Sequence, residues 1–179
     1  MTLQETAYVV GAALVVLHAP LIAAAGKSRA WLTAFPRSRA PAIALTAIDL
    51  TWVVTVMLHA SLGRFEAIKP ALYVAGPAAF FAAIVYLDEF LAARALGGFL
   101  LLIANPVLNA ARWHSSDLRL VVTVLAYAWV VAGCVFVLSP YRCRDWLAFF
   151  THSEARLRAA GIAGAALGAA VLALAAFIY

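Results

Sequence analysis

Charge is scarce in this chain. Only 12% of its 179 residues are Asp, Glu, Lys or Arg, while 66% are apolar or aromatic. A soluble domain averages roughly 25% charged residues. The shortfall, with a mean hydropathy of +0.98, excludes a soluble globular enzyme, a disordered tail and a free nucleic-acid binder. Cysteine is nearly absent too. Cys134 and Cys143 are the two present, with no Cys-x-x-Cys and no Cys/His cluster at zinc spacing, so no metal site is expected. Also missing are the alternating ten-residue segments of an outer-membrane barrel, an acidic pair, a nucleophile–base pair and a phosphate-cradling glycine loop. The start, MTLQETAYVV, lacks a basic region. The first apolar stretch therefore reads as a retained helix and not a signal peptide, although Ala23, Ala24 and Ala25 mimic a cleavage site.

Long apolar runs remain. A membrane-crossing helix needs about 20 of them in a row, and six stretches qualify: 7–25, 41–62, 71–87, 95–112, 119–138 and 158–178. Lipid leaves helices as the alternative to a closed barrel. The expected fold is an all-α integral membrane protein, a six-transmembrane-helix bundle with short loops and two interfacial segments, in one membrane domain over 1–179. Pro41, Pro70 and Pro140 stand at span edges, where they cost no helix bond. Pro20, Pro77 and Pro106 fall inside spans, where each frees a carbonyl one turn earlier.

The net charge of +5 is an orientation signal and not a nucleic-acid one. Lys27, Arg29, Arg37, Arg39, Arg94, Arg142, Arg144, Arg156 and Arg158 belong to the odd loops. Arg64, Lys69, Arg112 and Arg119 belong to the even ones. Nine against four puts the odd loops in the cytoplasm. Asp88 and Glu89 in the third loop weigh little in this rule. The expected site is the inner (cytoplasmic) membrane, multi-pass, with both termini outside. A disulfide from Cys143, on the reducing side, is not expected.

One motif recurs. Arg29-Ala-Trp31-Leu32-Thr-Ala-Phe35 and Arg144-Asp-Trp146-Leu147-Ala-Phe-Phe150 both read R-x-W-L-x-x-F. On a helix Trp31, Leu32 and Phe35 share a face. The segments near 28–36 and 142–151 are thus expected to lie in the interface, aromatic side down, with arginines snorkelling to phosphates. Arg29, Trp31, Phe35, Arg144, Trp146 and Phe150 are the expected anchors. The pair reads either as an aromatic belt with positive-inside charge or as a duplicated, parallel hairpin.

From Leu125 to Leu174 the order is Gly133, Pro140, basic residues around Trp146, Leu157-Arg158, Gly161 and Gly168. This hairpin resembles the small two-helix inner-membrane proteins of the YjeT type. The resemblance implies a glycine-bearing helix that meets proline at the membrane edge, then a glycine-rich second helix. That family has no assigned activity, so the resemblance implies no catalytic residue. Gly164-x-x-x-Gly168 permits close helix approach, expected within this chain before dimerisation.

Polar residues inside spans are the remaining candidates. Arg94, Gly98, Asn105, Asn109 and Arg112 fall within about 60° of one helical face. They form either a groove for a headgroup, a quinone-like ring or an ion, or interhelical hydrogen bonds that hold the bundle. Asp49 is the one acid well inside a span, where a carboxylate costs roughly 2.5–3.5 kcal/mol. It escapes that cost by taking a proton, by pairing with a cation such as Arg94, or by bonding Thr46. The expected polar site is Asp49, Arg94, Asn105 and Asn109. His18 and His59 stand about 15–20 Å apart along the membrane normal at 1.5 Å per residue, too far for one haem iron. His59 with His114 is better matched in depth but is a weak metal signal. Thr123, Tyr127 and Cys134 share a face of the fifth span and are expected to cross-link helices.

Three functions follow, in this order. The first is a non-enzymatic accessory, assembly or lipid-contacting component, with membrane lipids and another integral membrane protein as partners. The second is a small transporter or proton-linked carrier using the Asp49 site. The third is a quinone- or haem-linked redox subunit. The sequence weighs against an enzyme without excluding one, and calls for no cofactor.

Overall fold

Runs of Ala, Leu and Val, with few breakers, favour helix throughout. In the computed structural model, which describes residues 2–86 and 90–179, helix is what forms. Eight α-helices appear among the described residues: α1 Leu3–Ala23, α2 Ala25–Ala34, α3 Arg39–His59, α4 Leu72–Tyr86, α5 Leu91–Arg112, α6 Arg119–Leu138, α7 Pro140–Thr151 and α8 Glu154–Phe177. Two 3₁₀ segments, Phe35–Arg37 and Gly63–Ala71, join them. Six segments are long and apolar enough to cross a membrane: α1, α3, Gly63–Tyr86, α5, α6 and α8. The protein is an all-α, multi-pass membrane bundle.

The span boundaries differ from expectation by a turn or less except at the third. There α4 holds 15 residues, about 22 Å at 1.5 Å per residue, short of a hydrocarbon core of about 30 Å. The Gly63–Ala71 segment, with Pro70 inside it, extends it. The expected end of that span at Leu87, and the acids Asp88 and Glu89, lie outside the described residues. Pro20, Pro77 and Pro106 sit inside continuous helices.

Two helix pairs form the frame. Helix α1 begins with a capping box, Thr2 Oγ1 accepting from the Glu5 N–H and Glu5 from the Thr2 N–H. It runs antiparallel to α8, with the Gln4 amide donating to the Ala175 carbonyl at 3.0 Å. Gly11 faces Gly168, Leu21 covers Gly161, and the His18 ring fills the notch at Gly164. The glycine face of α8 is thus taken up by α1. In the second pair, a Cβ on Gly97 of α5 would lie 2.8 Å from the Gly133 carbonyl of α6, and one on Gly133 would lie 2.8 Å from the Gly97 carbonyl. Small residues permit such approach in the membrane, where packing replaces the hydrophobic effect as the driving force between helices. The two pairs meet in a core of Leu3, Val10, Ala104, Val107, Val122 and Val171.

Helix α3 joins through Ala42 against Leu91 and Ala92, with Phe35 in the same cluster, and through Trp52 edge-on to Phe99 at 6.3 Å. Helix α4 packs chiefly on α3, where Gly76 meets Val54. It has no buried residue.

Helices α2 and α7 lie together at one end of the bundle, against the start of α8. Arg29 Nη2 donates to the His152 carbonyl at 3.3 Å. Trp31 and Trp146 are exposed. The two motif copies diverge at their last position. Phe35 turns into the Leu91 cluster and is buried, whereas Phe150 is exposed and stacks edge-on with Phe149. Phe35 is therefore a bundle contact and not a lipid-facing anchor: it keeps the Trp31 face, with ring centroids 5.4 Å apart, but its end of that face is covered by Leu91 and Ala92. Both cysteines are free. Cys143 is buried in α7, and burial pushes its thiol up to about 11.

Gly133→Ala places a methyl against backbone that cannot move aside. Overpacking of this kind costs about 1–3 kcal/mol. Unfolding of the purified protein in mixed micelles is expected to show that loss. Gly76→Ala, which meets only the Val54 methyl at 3.0 Å, is expected to lose less.

Candidate functional site: two intramembrane polar regions

The polar stripe of α5 forms as expected, but it serves two neighbours. Its N-terminal half faces α3, and its C-terminal half opens beside α6. This separates Asp49 from Asn105 and Asn109.

On the N-terminal half, Asp49 packs against α5 at Gly98. A Cβ on Gly98 would lie 2.8 Å from Asp49 Oδ2. Asp49 is ten residues into α3 from Arg39, about 15 Å along the axis at 1.5 Å per residue. Asp49 Oδ1 is buried and has no hydrogen-bond partner, and neither has Thr46 Oγ1 one turn away. Thr46 is only 6% exposed. The expected Asp49–Thr46 hydrogen bond is absent. The expected Asp49–Arg94 bridge is absent as well, since no such pair comes within 4 Å among the described residues. Arg94 is half-buried at the start of α5, one turn before Gly98. Both structural explanations for this acid therefore fail. Buried polar atoms are ordinarily satisfied, and these two oxygens have no partner within the described residues.

On the C-terminal half, Asn105 and Asn109 are exposed on α5. They bond each other along the helix, Asn109 Nδ2 donating to Asn105 Oδ1 at 3.1 Å. They line an open cleft of about 550 Å³ with Leu108, Ala111, Arg112, Arg119, Leu120, Thr123 and Tyr127. Arg119 Nη1 donates to the carbonyls of Arg112 and His114, both at 2.9 Å. It thereby pairs carbonyls that the end of α5 leaves open. The Arg112 guanidinium lies 5.1 Å from the Trp113 ring centroid.

Thr123 and Tyr127 do not cross-link helices. Thr123 Oγ1 donates to the Arg119 carbonyl of its own helix, and Tyr127 is 58% exposed in the cleft. The roles of Arg119, Thr123 and Tyr127 were missed in the sequence because each helix was read alone. The signal was available: with a short turn between 112 and 119, the stripes of α5 and α6 that flank the turn must adjoin.

The histidines are separately engaged. His18 Nδ1 donates to the Leu14 carbonyl at 2.7 Å, and His59 Nδ1 to the Thr55 carbonyl at 2.8 Å. His114 Nδ1 accepts from the Ser116 N–H at 3.2 Å, and its ring packs on Tyr179. Among the described residues no three His, Cys, Asp or Glu side chains gather as metal ligands would.

Compared with protein-family models, with curated proteins and with solved structures, the chain matches none.

Proposed function

We propose that this protein is a non-enzymatic accessory component of the inner membrane, acting by contact with another integral membrane protein and with lipids. One observation carries this reading: the third span contributes no buried residue. Its helix α4 presents Ala75, Ala78, Ala79 and Ala82 outward. Spaced three and four apart, they share a face. Small residues at that spacing let a second helix approach closely. Among the described residues nothing covers this face. The partner that fits is a transmembrane helix of another membrane protein. Helices α2 and α7, with exposed Trp31 and Trp146 among arginines, supply the lipid contact.

The orientation follows from the nine basic residues, all of which belong to the end where α2 and α7 pack. That end is cytoplasmic in this reading, with both termini outside. A C-terminal fusion to a reporter active only outside the cytoplasm is expected to be active. Activity from a cytoplasm-only reporter would reverse the orientation.

The accessory reading predicts a partner that co-purifies in mild detergent with the unmodified chain. The double substitution Ala75→Leu and Ala79→Leu is expected to abolish recovery while leaving expression unchanged. A protein that runs alone, or whose partner survives both substitutions, would sink the reading.

A second reading, a proton-linked carrier, draws on the unpartnered Asp49 Oδ1 and Thr46 Oγ1. Asp49→Asn keeps the shape of the side chain and removes its titration. It is expected to abolish proton-coupled flux in proteoliposomes without lowering expression. Flux equal to that of the unmodified protein would exclude Asp49 as the coupling group.

A further inference from the structure

The cleft between the outer ends of α5 and α6 has an unusual balance of chemistry. Its polar lining holds two guanidinium groups, two carboxamides and two hydroxyls, and no carboxylate. Neither Arg112 nor Arg119 has a carboxylate within 4 Å among the described residues. The Asn105–Asn109 bond occupies one donor and one acceptor and leaves the other amide groups open. Arg119 has one nitrogen tied to the end of α5. That tether holds its planar fork in place, which suits a phosphate better than a mobile lysine would.

Position decides the class of ligand. Arg112 and Arg119 stand at the ends of their spans, at headgroup depth. Asn105 lies seven residues inward, about 10 Å by the helical rise. The cleft therefore descends from the membrane edge and opens sideways toward lipid. Leu120 is shared with a second, apolar groove of about 520 Å³ lined by Val121, Val124, Leu125, Ala128 and Leu167. A polar, cationic cleft and an apolar groove thus adjoin across one side chain. That juxtaposition fits an amphiphile.

We infer that this cleft binds the headgroup of an anionic glycerophospholipid. The phosphodiester sits between Arg112 and Arg119, the polar head reaches Asn105 and Asn109, and an acyl chain lies over Leu120 along α6. Arginine pairs with phosphate oxygens through parallel, charge-assisted hydrogen bonds. A choline or ethanolamine head would bring a cation to a lining that holds no carboxylate, so anionic heads are preferred. The site is independent of the α4 face and of Asp49, and either can fail without it.

The test uses the whole protein in detergent, titrated separately with phosphatidylglycerol and phosphatidylcholine, and retained lipid is read by native mass spectrometry. Phosphatidylglycerol is expected to be retained preferentially. Arg112→Gln with Arg119→Gln is expected to reduce its retention about thirtyfold, since each of the two basic residues near a lipid surface adds roughly 1 kcal/mol. Because Arg119 also caps α5, Asn105→Leu with Asn109→Leu serves as a second variant that leaves the cap intact, and it too is expected to lose preference. Equal retention of the two lipids, or retention unchanged in both variants, would overturn the proposal. Stripping of the lipid by millimolar inorganic phosphate would show a soluble anion site and overturn the lipid assignment.

Discussion

At Gly97 and Gly133 the backbones of α5 and α6 come so close that a single methyl on either would meet the other's carbonyl. Gly11 and Gly168 repeat the arrangement between α1 and α8, with a Cβ-to-carbonyl approach of 2.9 and 2.8 Å. The two helix pairs joined by these contacts form the frame on which α3 packs. Lipid tails are as apolar as leucine, so helices gain little by hiding apolar side chains from them. Close backbone approach multiplies dispersion contacts, each individually small. The paired frame then fixes which faces of α5 remain for α3 and which remain open.

The polar stripe of α5 shows the consequence. Gly97 faces α6, and its neighbour Gly98, one residue on, faces α3. Adjacent positions on a helix differ by about 100°, so two successive glycines serve two different helices. One admits a backbone, and the other admits the Asp49 carboxyl. The stripe then continues to Asn105 and Asn109, where α6 stands beside it and leaves a cleft. A single helix thereby borders two polar regions with different neighbours, the Asp49 carboxyl of α3 at one and the cleft beside α6 at the other.

Much of this was legible in the residues. The six spans followed from run length alone, because in a bilayer the length of an apolar stretch is the length of a helix. The stripe on α5 followed from helical period. The glycine face of α8 was legible as a packing surface, though not its partner. What periodicity does not carry is adjacency. It placed Asp49, Arg94, Asn105 and Asn109 at plausible depths and joined them into one site, whereas Asp49 meets Gly98 and the asparagines open elsewhere. Gly97 went unremarked because a lone glycine in a span signals nothing until the facing Gly133 is known. Phe35 differs from expectation for the same reason: it does share a face with Trp31, but Leu91 and Ala92 of α5 cover it, and periodicity does not show that neighbour.

The charges of the spans do not brace the bundle as ion pairs between helices among the described residues. Opposite charges attract far more strongly where the dielectric is low than in water. A bundle stabilised by ion pairs would bring its few charges together. Here Arg94 starts the same helix as Gly98, one turn from Asp49's contact, and forms no pair with it. Arg112 lies fourteen residues beyond Gly98, about 21 Å by the helical rise. The three ion pairs among the described residues, Glu66–Lys69, Arg144–Asp145 and Glu154–Arg158, are each local in sequence. None joins two spans. The intramembrane acid is thus left without the cationic partner a scaffolding role would supply, while Arg119 braces the end of α5 through backbone carbonyls and Arg112 lies over Trp113.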